Sequence, residues 1–520
     1  MKIIHQTDQQ KIKQMKKYNI ILLAAAVFSA FSCNKSSLEP KIYSSLTSQN
    51  AFLTKSDAIA AVNAVYARLK GPSVGDNFDY WTVRHFALTD LTTDVAHCSY
   101  TGDPGQLSNI QWNSANGLIG EDYRQIYKLV ANANNAIYNI SAMTTISAAQ
   151  KSQFLAEMKF LRAIAYSDLT DSWGPVILNT EKDIANPNYT AKTSPSPVAD
   201  VDALMIADLQ NAITVLPVDY SKSDIYSTND VGRATKGAAT FLLAKIYLRQ
   251  HQWQKAADLT KQVIDLNIYQ LYPSYAGLFK EANTWCSENI FSVLSDANVN
   301  GTELLNHFGP LSHPYLTDRW QYYAVTWDFY HSYGDEDDRK KMFFTQYDGV
   351  DGLTHKEEPS PGATAPAGVL YMPDVATMKY ADPNGANTYY DGHSVDILRY
   401  ADVLLSRAEA LNELGGPTAE AVALVNQVKA RSHAKQLVAS TLTQSTFRDA
   451  LLQERGWELY YEGKRRADLK RFGKYDVVVN AYLKRTGQTQ TVQLPRDEFF
   501  PYPLSQTQIN PNLSNAGRQQ

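Results

Sequence analysis

The sequence predicts a mainly α-helical protein, a scaffold of tetratricopeptide-like helix pairs that carries long aromatic-rich loops and a few short strands. Three observations predict it. A helical hairpin runs from Gly232 to Leu248 and from Trp253 to Leu266, a second hairpin of nearly the same spacing surrounds Ala408 to Val428, and the stretch from Asn283 to His393 loses helical period while gaining aromatic residues and Pro, Gly and Asn-Gly turns. In a tetratricopeptide unit of about 34 residues, small and large packing residues recur at fixed places. Ala244, Tyr247, Trp253, Ala256 and Val263 fall there, as do Ala408, Leu411, Ala421 and Val428 in the second copy.

At the N-terminus a polar stretch gives way to Met15, Lys16, Lys17 and an apolar run from Ile20 to Phe31. A charged region followed by about a dozen apolar residues is an export signal, whereas a membrane span needs about 20. Met15 is the expected start, because it brings both lysines to the chain end. The segment Ala30-Phe31-Ser32-Cys33 resembles a bacterial lipobox, so Cys33 is expected to carry the acyl chains that anchor the mature protein. Stable anchoring takes two or more such chains. Phe31 is bulkier than the usual residue there, and ordinary cleavage before an unmodified Cys33 is the alternative. Asn34 to Pro40 would form a short tether, with Glu39 its only acidic residue.

The chain of 520 residues has a formal charge of −4, without the basic excess that a phosphate-binding surface requires, so nucleic acid is not an expected partner. Of 3 cysteines, Cys98 and Cys286 remain after Cys33; they could pair after export or stay as buried thiols. Tyr (32) outnumbers Phe (18) and is joined by 8 Trp, rings that suit wet contact surfaces and helical cores alike.

Further helices are needed to cover the two hairpins, since neither can bury its apolar face alone. Ala58 to Leu69, Tyr123 to Ile140, Phe154 to Leu169 and Phe447 to Tyr461 have the required period. Gly174-Pro175 stops the third, Val176 to Leu178 leaves it extended, and Asn186 to Pro197 reads as a loop. Trp253, Trp327, Phe329 and Trp457 are expected in the core.

Five segments stand out in order along the chain: Glu157 to Ala163 with Tyr166 and Trp173-Gly174-Pro175-Val176, then Gly232-Arg233-Ala234-Thr235 with Ala244 to Leu248, then Leu398 to Leu405 with Ala408-Glu409-Ala410. Glu454-Arg455 through Glu462 to Leu469 and the closing Phe500-Pro501-Tyr502-Pro503 complete the set. Together they resemble the RagB/SusD family of nutrient-uptake lipoproteins; their order matches that family and they span nearly the whole mature chain. The resemblance implies a SusD-like helical fold and a lipid anchor in the outer membrane, facing the cell exterior. It also implies a role as the lid of a SusC-like, TonB-dependent barrel, with an oligosaccharide or polysaccharide as ligand and neither catalysis nor a cofactor. The expected boundaries are 1–32 for the leader, 33–45 for the lipidated cysteine and tether, and 46–515 for one domain. That domain divides into an N-terminal half at 46–230, the helical hairpin at 231–270 and the RagB/SusD C-terminal half at 271–515.

Other chemistry is less well supported. Gly71-Pro72-Ser73-Val74-Gly75 satisfies the pattern of a hydrolase nucleophile elbow, but that elbow needs a strand before the serine and a helix after it, and here a helix precedes. Asp335-Glu336-Asp337-Asp338 lacks the alternating ligands of a calcium loop and reads as a solvated acidic turn. No metal site is expected; His85 and His97 lack ligand spacing. Glu454, Glu458 and Glu462 sit at helical spacing among Arg455, Arg465 and Arg466, which suits a structural ion-pair network, not two carboxylates facing across a glycoside.

Sugar binding calls for exposed rings that pack on pyranose C–H faces beside polar groups that reach hydroxyls. The loops offer Asn77, Asp79, Tyr80, Trp81 and Arg84; Tyr100, Asn109 and Trp112; Trp285; and Trp320, Gln321, Tyr322 and Tyr323. In the resembling family the ligand-facing rings come from these two regions, the N-terminal helix–loop and the central loops. Peptide or glycopeptide capture by the same scaffold is the nearest alternative. An extracytoplasmic hydrolase or a protein-only repeat scaffold are the alternatives of a different class.

Overall fold

Helical period in the sequence becomes helix along most of the chain. The computed structural model describes residues 52–519 apart from 71–79, 187–193, 222, 224, 227–229, 300, 317–318, 361 and 382–388. The described residues from Thr54 onward form one compact unit. The leader, Cys33, the tether, Asn77, Asp79 and the motif from Gly71 to Gly75 lie outside the described residues, as does the side chain of Tyr80.

The long helices are α1 (Lys55–Lys70), α2 (Gly117–Ala142), α3 (Ala148–Trp173), α4 (Val198–Val215), α5 (Lys236–Arg249) and α6 (Trp253–Asp265). After the central loops come α7 (Tyr400–Gly415), α8 (Ala419–Arg431), α9 (Gln444–Leu459), α10 (Arg465–Arg471) and α11 (Tyr475–Arg485). Their ends follow from capping chemistry. Asn116 accepts the N–H groups of Leu118 and Ile119 at the start of α2, and Ser147 and Gln150 cap α3 reciprocally. Gly174, at φ +69°, stops α3 in a conformation that costs other residues strain. α5 starts at Lys236 and not at Gly232 as expected, because the Thr235 hydroxyl accepts the Ala238 N–H and fixes the cap there.

Each helix packs on the next: α2 on α3, α3 on α4, α4 on α5, α5 on α6, α6 on α7, and α7 on α8 and α9. This is the helical stack that the two hairpins require. Ala244, Tyr247, Ala256 and Val263 are buried in the first, Ala408, Ala421 and Val428 in the second. Each fully buried Leu, Val or Phe along such a seam contributes about 1.5–3 kcal/mol. α4 was not expected. Its buried residues Val201, Met205, Leu209 and Ala212 do follow helical spacing, so the signal was present. The core assignment holds for Phe329, whereas Trp253, Trp327 and Trp457 are only half-buried and stand at the edge of the packing.

The strands are short. β1 (Ala96–His97) pairs antiparallel with a strand near Ala324, and β2 (Asn289–Val293) with one ending at Arg399. In chain order the others are β3 (Ala324–Val325), β4 (Phe343–Phe344), β5 (Gln346–Asp348), β6 (Thr354–Glu357), β7 (Val369–Met372), β8 (Ala376–Thr377) and β9 (Val395–Arg399). β4 pairs with β8, and β5-β6-β7 form a small sheet in which β6 and β7 are parallel.

Distant sequence motifs meet in the fold. The Trp173 indole donates to the Pro501 carbonyl (3.2 Å) and the Tyr502 hydroxyl to that of Pro175 (2.5 Å), so the C-terminal segment closes over the end of α3. Arg399 is buried against Glu288, Glu458 and Glu462, and Arg339 against Asp337, Glu454 and Glu458. Burial alone would raise the Glu458 pKa, but the guanidiniums of Arg431, Arg399 and Arg339 hold it well below the usual carboxylate range. The structural network expected of Glu454, Glu458 and Glu462 is therefore present. The acidic turn is a partial correction: Asp335 and Glu336 are exposed, but Asp337 is buried because it clamps Arg339.

Candidate ligand-binding site

The short helix Leu304–Phe308 organises the central loops. Its Asn306, itself buried, accepts the Trp320 N–H on its carbonyl (2.8 Å) and donates its side-chain amide to the Tyr389 carbonyl (2.9 Å). Its side-chain oxygen accepts from Arg319, and the Tyr323 N–H donates to the neighbouring His307 carbonyl (3.0 Å). One helix turn thus fixes the backbone beneath a row of aromatic rings.

The row runs through Tyr100, Tyr322, Trp320, Tyr389 and Tyr390. Tyr100 and Tyr322 have ring centroids 4.3 Å apart, Tyr322 meets Trp320 edge-to-face at 5.6 Å, Trp320 meets Tyr389 at 6.2 Å, and Tyr389 meets Tyr390 at 5.0 Å. His307 supports the row from below, 4.9 Å from Trp320; burial pushes its pKa down to about 4, which keeps the imidazole neutral. Edge-to-face contacts turn successive rings in different directions. It is also open to solvent: Tyr389 is 52% exposed, Tyr390 40% and Tyr100 39%.

Beside the row lies a cleft of about 90 Å³ lined by His97, Ser99, Tyr100, Leu311, Trp320, Gln321, Ala324, His355, Leu370, Met372, Pro373 and Asp374. His97 Nδ1 lies 2.6 Å from Asp374 Oδ2. Burial would lower the His97 pKa, but the hydrogen bond and charge of Asp374 raise it above the ordinary value. Gln321 sits at φ +46°, its Oε1 accepting the Leu311 N–H (3.1 Å) and its Nε2 donating to the Asp374 carbonyl (3.2 Å).

Of the residues expected to meet a ligand, the structure brings together Tyr100, Trp320, Gln321 and Tyr322. Four others are corrected. Trp112 is fully buried with its ring against Phe500 at 5.3 Å, Tyr323 is buried against Phe308 at 5.7 Å, and Arg84 is buried facing Glu121 at 3.4 Å. Trp81 is buried with its ring on His85 at 3.9 Å and the Lys464 ammonium over it at 4.9 Å, so it has no face to offer this row. Gly463, at φ +72°, fits there because a Cβ would lie 2.5 Å from His85. Asn109 is half-buried at the end of the Asp103–Ser108 helix, and half-buried Trp285 makes no ring contact with the row among the described residues. Tyr389 and Tyr390 were missed, although two adjacent tyrosines after Pro383-Asn384-Gly385 were a legible signal.

A larger cavity of about 450 Å³ lies among α3, α5 and α10, and Trp81 is among the residues that line it. Much of the charge on its walls is paired within the protein: Arg455 with Asp402 and Asp468, Arg471 with Glu409 and Asp468, Arg249 with Asp171 and Asp202. The ring row is the more solvent-exposed aromatic surface, through Tyr100, Tyr389 and Tyr390, and is the candidate ligand surface despite the smaller cleft. Donor atoms of Glu281, Asp391 and His393 lie within 4.8 Å of one another. Their oxygens accept from Gly392 N, Thr302 Oγ1 and Leu305 N, which clamps the surrounding loops together. Cys98 and Cys286 are both free thiols. No helix among the described residues is long and apolar enough to cross a membrane.

Comparison with known proteins agrees with this architecture. A family model described as the SusD family matches residues 316–517, and one described as starch-binding associating with outer membrane matches 42–248. The chain is 25% identical to SusD-like protein P25 of Formosa agariphila, over 96% of this chain and 98% of that protein. It is 22% identical to the starch-binding protein SusD of Bacteroides thetaiotaomicron, over 86% and 87%. Among solved structures, a SusD homolog from Bacteroides thetaiotaomicron superposes with TM-score 0.74 at 21% identity, covering 90% of this chain and 97% of that one. A surface glycan-binding protein A from the same organism, in complex with laminarihexaose, gives 0.70 at 21%, covering 89% and 99%.

Proposed function

Because the chain belongs to the SusD family, we propose that it is a binding lipoprotein of the outer membrane that captures an oligosaccharide or polysaccharide without turning it over. The observation that carries this reading is the row of rings from Tyr100 to Tyr390, open to solvent and held by Asn306 and His307. Several ring faces along one surface suit successive sugar units, each held weakly, so that a long glycan binds by avidity. The printed names of relatives, a starch-binding protein and a laminarihexaose complex, support the glycan class. The carboxylates that would invite hydrolysis, Glu454, Glu458 and Glu462, are engaged by buried cations, which supports binding without chemistry.

Acylation at Cys33 would hold the protein at the membrane, and a SusC-like barrel would receive the ligand once the protein closes over it as a lid. Affinity electrophoresis in polysaccharide-containing gels tests capture, and product analysis after long incubation tests turnover. Fractionation of cells carrying Cys33→Ala tests the anchor, with release from the membrane fraction expected. Detergent extraction of the native host followed by pull-down tests the barrel, a large outer-membrane protein being the expected companion.

A further inference from the structure

The cleft beside the ring row has a donor and acceptor set of its own. His97 lies on β1 opposite Ala324 of β3, and Val325 of β3 bridges to Val375, so one short backbone ladder carries both His97 and the residue next to Asp374. That ladder sets the 2.6 Å contact between the imidazole Nδ1 and the carboxylate. Nδ1 is thereby committed, and among the described residues Nε2 makes no hydrogen bond, which leaves it for a ligand. Gln321 is held in the left-handed region at φ +46°, a conformation that strains a residue with a Cβ. Both ends of its amide brace the cleft wall, one on Leu311 and one on the Asp374 carbonyl. Leu311, Leu370 and Met372 supply apolar sides.

The cleft sets an apolar side beside a polar one that includes His97 and Ser99, and a group with a short carbon stem and a hydroxyl satisfies both. The hydroxyl suits the imidazole in either state, donating to Nε2 when the ring is neutral and accepting from Nε2–H when it is charged. A carboxylate in the same place would meet the Asp374 carboxylate, and the other imidazole on the cleft, His355, is already bonded to Asp351 (3.0 Å). We propose that this cleft is a specificity subsite that receives the hydroxymethyl group of a neutral hexose, with His97 as its polar contact and Asp374 and Gln321 as positioning residues. The inference rests on the glycan-capture reading and adds to it which sugars are accepted.

Calorimetric titration of the leader-free protein with glucose-, mannose- and galactose-based hexasaccharides, xylohexaose and hexagalacturonate tests it. The expected result is binding of at least one neutral hexose oligomer, with xylohexaose and hexagalacturonate weaker by about 10-fold or more. His97→Phe should erase that preference, and His97→Gln, which keeps an amide near the place of Nε2, should retain most of it. Xylohexaose or hexagalacturonate binding as tightly as the hexose oligomers overturns the subsite, and this comparison needs no variant to fold. A preference unchanged in folded His97→Phe overturns it as well, while loss of binding in Trp320→Ala alongside leaves glycan capture standing. Absence of binding by every oligosaccharide would overturn both readings together.

Discussion

The phenol of Tyr100 donates a hydrogen bond to the backbone carbonyl of Trp320 at 2.9 Å, joining residues 220 positions apart in the chain. The same tyrosine ring packs on Tyr322 at 4.3 Å, so a single side chain from the N-terminal region locks the two central rings of the row. Tyr100→Phe keeps the ring contact and removes the tie. Glycan affinity should then fall by about 3–10-fold, the worth of one hydrogen bond of about 0.5–1.5 kcal/mol, and Tyr100→Ala should fall further. Titration of both variants against the same oligosaccharide checks the order.

Arg399 is the hub of the buried ion network, with Glu288, Glu458 and Glu462 all within 2.7 Å of its nitrogens. Removing one partner of a buried network leaves uncompensated charge, so Arg399→Ala should cost about 3–5 kcal/mol or more of stability. The exposed pair Arg485–Asp328, at 2.8 Å, should contribute little, and Arg485→Ala should change stability by about 1 kcal/mol at most. Denaturant unfolding of the two variants side by side measures the contrast.

Asp122 lies buried in α2, and burial raises its pKa to about 8, against a partly compensating pull from Arg84. Unfolded, the same carboxyl titrates near 3.9. Between these values the folded state holds a proton that the unfolded state has lost, so this group's contribution is full below about pH 4 and disappears as pH rises through 8. Asp122→Asn should therefore match wild type in melting temperature at low pH and exceed it increasingly up to about pH 8, with no further gain above. Thermal melts across that range read the divergence directly.

Trp112 and Trp320 should part company. Trp112 is fully buried against Phe500, so Trp112→Ala should cost about 3–5 kcal/mol of stability while the folded fraction still binds glycan with unchanged affinity. Trp320→Ala should leave the melt nearly unchanged. Melting curves and binding titrations on both variants separate core from site.

The helical frame was legible because its signals are local: apolar spacing, a capping Ser or Thr, a Gly-Pro stop. α4 carries the same spacing, in Val201, Met205, Leu209 and Ala212, directly after a Pro- and Ser-rich loop. The site was legible in part. Trp320, Gln321 and Tyr322 stood together in a loop-rich stretch, where rings have no helical face to hide on. Trp81, Arg84 and Trp112 misled because their burial is decided from far along the chain, by Gly463 and Lys464 in one case and by Phe500 in another. The His97–Asp374 pair spans 277 positions with no motif at either end, and only the β1–β3 register with the Val325–Val375 bridge brings the two together.

The central claim is that the ring row from Tyr100 to Tyr390 captures a glycan, and the most direct measurement is calorimetric titration of the leader-free protein against a polysaccharide panel, with Trp320→Ala run in parallel. The account predicts saturable binding to at least one glycan that Trp320→Ala weakens by about 10-fold or more, with no product released. Binding to peptides alone, or glycan binding that survives Trp320→Ala intact, would contradict it.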